Sequence, residues 1–152
     1  MLTDSASTIY GLTFLWCIPS PVLLFINAEA WVITHALLEH GTPLGLGLAA
    51  AAGQLVGYTV VFFASDRVVR WLPKLDGKLQ TFDAQRYSTT AYSALAIGTV
   101  VGLPPTVLLT LCSRALGYRY LPFILICAVG RSLRFCTLAS LPETFAKLFG
   151  AG

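Results

Sequence analysis

Arg131 and Arg134 stand in the middle of Leu121 to Leu141, a membrane-length run that carries no other charge. Near a bilayer centre each arginine opposes insertion by roughly 2.5–3.5 kcal/mol unless it meets a partner or water. Guanidinium groups stay ionised and present planar forks of donors that match phosphate, so this pair is suited to holding an anion away from bulk water. Three residues apart on a helix, they project from one face, with Tyr120 and Cys127 on the same stripe. Glu29 is the acid placed to face them, in the short apolar stretch Ala28 to Glu39. One carboxylate cannot neutralise two arginines, and the surplus charge asks for an anion or for water.

The other polar residues offer weaker chemistry. His35 and Glu39 at i, i+4, with His40 beside them, supply too few ligands for a metal site, and the chain has only two histidines. Neither a metal nor another cofactor is expected. Cys17, Cys112, Cys127 and Cys136 lack C-x-x-C spacing and read as small buried hydrophobes. Ser, His and acidic residues show no nucleophile and base spacing, so the chain does not read as an enzyme.

Elements that could position such a site follow from composition. With 56% hydrophobic and 11% charged residues, and a mean hydropathy of +0.74, the chain reads as an all-α integral membrane protein rather than a soluble globule. Met1 to Ser7 has no basic residue, so the apolar start reads as retained rather than as a cleaved signal. No nucleic-acid partner is implied.

Four apolar blocks follow. Ile9 to Ile26 is interrupted by Pro19 and Pro21, and Ala28 to Glu39 is too short to span a hydrocarbon core of roughly 30 Å. Together they predict a re-entrant hairpin, leading into an uncharged transmembrane helix over Leu44 to Ser65. On that helix Ala50, Gly53, Gly57 and Ala64 form a small-residue stripe for helix packing, and Gln54 and Tyr58 lie one turn apart where they could line a cavity. The polar segment, about residues 66–90, holds five of the ten Lys and Arg, which makes it cytoplasmic by the positive-inside rule. Ala91 to Cys112, broken at Pro104-Pro105, predicts a second hairpin. The arginine-bearing helix then runs to about 141, with a short tail over 142–152.

Ile18-Pro19-Ser20-Pro21-Val22-Leu23-Leu24 and Leu103-Pro104-Pro105-Thr106-Val107-Leu108-Leu109 match at a constant offset. A single membrane domain of two hairpin-plus-helix units, about 9–65 and 91–141, is therefore expected. If they insert with opposite topology they form an inverted repeat, the arrangement that places a midplane site between broken helices.

Asn27-Ala28-Glu29-Ala30 after a proline-bearing run, Gly53-x-x-x-Gly57-Tyr58, Gly102-Leu103-Pro104-Pro105, and Gly130-Arg131-Ser132-Leu133-Arg134-Phe135 together resemble the DedA superfamily. This superfamily is also called SNARE-associated or VTT-domain, and the resemblance, over about residues 15–140, is closest to its small YqaA-like branch. It implies two re-entrant hairpins meeting inside the cytoplasmic membrane, and a transporter or scramblase for phosphate-bearing lipids such as polyprenyl phosphates or phospholipids. Glu29, Arg131 and Arg134 would bind substrate with Asn27, Pro104 and Pro105, while Gly53, Gln54, Gly57, Tyr58 and Gly130 line or pack the cavity. The chain departs from the larger members at Asn27-Ala28, where they have proline-glycine. It also lacks their earlier acid and the arginine before the second break, since Cys17 and Gly98 to Leu103 are uncharged. A homodimer is compatible with so small a bundle. The competing expectations are a structural or assembly subunit whose Glu–Arg pair only packs and, further off, a membrane phosphotransferase.

Overall fold

In the computed structural model the chain is described over residues 2–23, 27–38, 40–70, 84–103, 105–113 and 116–149. All regular structure among them is α-helical. The helices are α1 (Leu2–Cys17), α2 (Ala28–Leu37), α3 (Pro43–Arg70), α4 (Ala84–Val101), α5 (Thr106–Leu111) and α6 (Tyr120–Phe149). Pro104, Glu39, Arg114 and the middle of the polar segment, 71–83, lie outside the described residues.

Each helix boundary near the breaks has a local cause. α1 stops at Cys17 because Pro19 disfavours helical backbone at Ile18, and the Ser20 hydroxyl donates to the freed Cys17 carbonyl at 2.8 Å. α2 starts because the Asn27 side-chain oxygen accepts from the backbone N–H of Glu29 and of Ala30, both at 3.1 Å. Pro43 opens α3 at the first helical position, where its missing N–H costs nothing, and the Thr42 hydroxyl accepts from Gly45 N–H at 3.2 Å. Gly102, at φ +93°, turns the chain out of α4 while its N–H reaches Gly98 O at 2.9 Å.

Several boundaries differ from the sequence reading. α1 begins at Leu2 rather than Ile9. α3 runs to Arg70 and α4 begins at Ala84, so both described ends of the polar segment are helical. Pro142 does not separate a tail from the arginine-bearing helix, because α6 continues through it to Phe149. A proline removes one internal hydrogen bond, that to the carbonyl four residues earlier, and a helix of 30 residues keeps its other contacts across that point.

α1 and α2 fold back on one another. Trp31 stacks on Trp16 with centroids 4.8 Å apart, and its indole N–H donates to Thr13 Oγ1 at 3.1 Å. α3 and α6 run antiparallel, with Gly47 against the Cys136 backbone near one end and Phe62 against Phe123, centroids 4.9 Å apart, near the other. Two apolar cores result. One joins Cys17, Ala28, Val32, Ala50, Ala51, Phe135 and Ala139; the other joins Tyr58, Ala91, Leu95, Tyr118, Phe123 and Cys127. Their junction falls on α6 between Cys127 and Phe135, the level of Arg131. Two helices, over Pro43–Ser65 and Tyr120–Pro142, are long and apolar enough to cross a membrane.

Candidate functional site

The break after α1 and the break after α4 meet at the two arginines. Between them lies a cavity of about 230 Å³. The first break contributes Ser20 and Pro21, the start of α2 contributes Asn27, Ala28 and Glu29, and α3 contributes Gln54 and Tyr58. The second break supplies Gly102, Pro105, Thr106 and Val107, and α6 supplies Arg131 and Arg134.

Arg134 is the paired arginine. Its Nη2 and Nε both donate to Glu29 Oε1, at 2.6 and 2.8 Å, and Nη1 donates to the Val100 carbonyl at 2.8 Å. That last bond places a cation on an orphan carbonyl at the C-terminus of α4, where the helix dipole favours it. The side chains of Arg134 and Glu29 are 19% and 38% exposed, so the pair borders the cavity rather than lying beneath it.

Arg131 is the deeper of the two, only 7% exposed. Its Nη2 donates to the Tyr58 hydroxyl at 2.5 Å and to Thr106 Oγ1 at 2.9 Å. The guanidinium carbon also lies over the Tyr58 ring, 5.3 Å from its centroid, so a cation–π contact accompanies the hydrogen bond. Among the described residues it has no carboxylate partner, and its Nε has no hydrogen-bond partner. Two neutral hydroxyls orient this charge without neutralising it.

A second polar line enters from α3. Gln54 Nε2 donates to Ser20 Oγ at 2.9 Å, which ties the long helix to the first break, while Gln54 Oε1 is buried without a partner.

Glu29, Arg131, Arg134, Asn27, Pro105, Gln54 and Tyr58 thus share one cavity wall. Asn27 is also the cap of α2. Gly53, Gly57 and Gly130 sit on the packing side. A Cβ on Gly53 would collide with the Phe14 carbonyl, one on Gly57 with the Ile18 carbonyl, and one on Gly130 with Thr99. The small-residue stripe therefore receives the end of α1 within the same chain.

Ser20, Gly102, Thr106 and Val107 belong to the wall too; they lie in the proline-bearing motifs but are not among the site residues expected from sequence. Adjacency to the prolines is the signal that could have found them, since backbone freed by a proline must be satisfied where it lines a polar space. The histidines stand apart: His35 stacks on Trp31, centroids 4.2 Å apart, and its Nδ1 lies 3.0 Å from the Trp31 carbonyl. No cluster of metal-ligating residues occurs among the described residues.

No family model, no curated protein and no solved structure matches this chain.

Proposed function

We propose that this chain is an integral protein of the cytoplasmic membrane that moves a phosphate-bearing lipid across the bilayer, as a DedA-like transporter or scramblase. The observation that carries the reading is Arg131, a nearly buried cation with oriented donors, no acid to balance it among the described residues and a cavity at its side. In a low-dielectric surround such a charge is stabilised by an incoming anion, and a phosphate suits the guanidinium fork.

The surface of the bundle supports membrane insertion. Leu121, Leu125, Val129 and Leu133 form an exposed stripe along α6, and most of the apolar length of that helix is not buried within the molecule. A soluble protein would cover such a face, whereas lipid needs no cover. With α2 and α5 only 10 and 6 residues long, the α1–α2 and α4–α5 pairs suit re-entrant hairpins. Long helix, break, short helix and long helix occur twice in order, the pattern of an inverted repeat with its site between the breaks. In this topology the segment about 66–90 faces the cytoplasm.

A structural-subunit reading draws on the Glu29–Arg134 pair, which ties α2 to α6 with no ligand required. It also accounts for the Arg131 bonds to Tyr58 and Thr106, but gives that charge no counter-ion among the described residues.

Purified protein in liposomes holding a fluorescent phosphate-bearing lipid tests the proposal. Transbilayer movement should fall at least tenfold in Arg131→Ala and Arg134→Ala variants that remain folded. Normal movement by both variants would sink the transport reading.

A further inference from the structure

Among the described residues that line the cavity, the charged ones are Glu29 from α2, and Arg131 and Arg134 from α6. Arg134 is balanced, since its Nε and Nη2 both donate to Glu29 Oε1, at 2.8 and 2.6 Å. Arg131 meets the hydroxyls of Tyr58 and Thr106 instead. Two positive charges and one negative leave these walls a net charge of +1, centred on a side chain that is nearly buried.

The rest of the lining adds little to that sum. α1 and α4 present their C-termini at the two breaks while α2 and α5 present their N-termini, so the helix dipoles oppose one another. The titratable group facing Arg131 from α3 is Tyr58, and the described residues of the second break bring none to the wall. Cys17, at the end of α1, and Cys127, on α6, belong to the two apolar cores. Phenols and thiols are ordinarily neutral below about pH 7.5.

We propose that the cavity selects its ligand by charge: it takes a singly charged phosphate, either a phosphodiester or a monoester that keeps one proton, and rejects the doubly charged monoester. This deepens the headgroup reading and rests on it. Withdrawing an ion from water costs free energy in proportion to the square of its charge, whereas attraction to one fixed positive charge grows only in direct proportion. A singly charged phosphate leaves the site neutral, and a dianion leaves one negative charge in excess. A monoester has its second pKa at about 6, so raising the pH strips its proton and turns a matched ligand into a mismatched one; a diester stays matched throughout. The cavity, about 230 Å³, lies below the roughly 300–1,000 Å³ that encloses whole small ligands, so it fits a headgroup with any tail outside.

The test measures dissociation constants for the full chain in dodecyl maltoside, an uncharged detergent without phosphate, at pH 5 and pH 7.5. The probes are short-chain phosphatidic acid, a monoester, and its methyl diester phosphatidylmethanol. The ratio of the two constants at each pH cancels any titration of the protein itself. In the wild type the two lipids should bind alike at pH 5, and the monoester should weaken at least tenfold relative to the diester by pH 7.5, as its monoanion falls to a few per cent. Glu29→Gln, which raises the wall charge from +1 to +2, should abolish or reverse that trend. Competition by dimethyl phosphate would assign the bare phosphate group as the ligand, and absence of competition a lipid-borne one; the charge rule stands in either case. A wild-type ratio that does not change with pH, while Arg131→Met abolishes binding of both lipids, would overturn the charge rule and leave the headgroup reading standing. The same trend in Glu29→Gln as in the wild type overturns it as well, and should that variant not fold, the wild-type ratio decides alone. If neither lipid binds and Arg131→Met changes nothing, the headgroup reading itself fails, and this inference with it.

Discussion

Arg134 grips a single carboxylate oxygen of Glu29 through two of its nitrogens, at 2.6 and 2.8 Å, while Arg131, one turn earlier on the same helix, is offered only hydroxyls. One acid and two arginines therefore divide into a paired border and an unpaired interior. The division makes opposite mutational behaviours expected from residues of one type.

Arg131→Met should leave thermal stability unchanged or raise it, because replacing a buried uncompensated charge with an apolar side chain of similar length removes a desolvation cost; gains of about 1–2 kcal/mol are reasonable. Lipid movement should be lost in the same variant. Thermal unfolding in detergent alongside the liposome assay separates the two, and a large loss of stability would show that the charge is structural.

Arg134→Ala should destabilise, since it strands Glu29 and reopens the Val100 carbonyl. A partly buried pair falls between surface and buried ion pairs, so a loss of about 1–3 kcal/mol is expected. Glu29→Gln should cost less than Arg134→Ala, as the amide oxygen still accepts from the guanidinium. Equal melting points for the two variants would contradict this ordering.

Gly53→Ala and Gly57→Ala should each cost about 1–3 kcal/mol, because each new methyl meets a backbone carbonyl at the end of α1 that cannot rotate away. Gly11→Ala is the control: nothing lies within 4 Å of its Cβ, and the substitution should stabilise α1 by up to about 1 kcal/mol. Parallel melting curves check the contrast.

Gly102→Ala should destabilise by about 1–2 kcal/mol from the left-handed backbone alone, at φ +93°. Its Cβ would also press on Arg134 Nη2 at 3.0 Å, so the variant should weaken the Glu29 pair. Combined with Arg134→Ala it should cost less than the sum of the two single changes, which a double-mutant cycle would measure.

Asn27→Ala should lose about 1 kcal/mol by uncapping α2, and Asn27→Asp should retain the cap. Urea unfolding followed by helical circular dichroism distinguishes capping from a purely ligand-facing role, in which both variants would match wild type in stability.

Proline chemistry makes the two breaks readable from sequence, since Pro19, Pro21 and Pro105 remove donors wherever they stand. The same rule fails at Pro142, where one missing hydrogen bond does not end so long a helix. Charge counting makes an acid–arginine pair readable, yet whether Glu29 takes Arg131 or Arg134 depends on how α2 is rotated against α6, which no local pattern encodes. The Gly53 and Gly57 stripe announces close packing without naming what packs. Gln54 is the extreme case: its hydrogen-bond partner Ser20 lies 34 residues away.

Arg134 bonds Glu29 at the start of α2 and the Val100 carbonyl at the end of α4 from one guanidinium on α6. That side chain is a knot joining three segments distant along the chain, and it binds the two breaks into one mechanical unit. Neither Glu29 nor the Val100 carbonyl can leave α6 without giving up its hydrogen bond to Arg134.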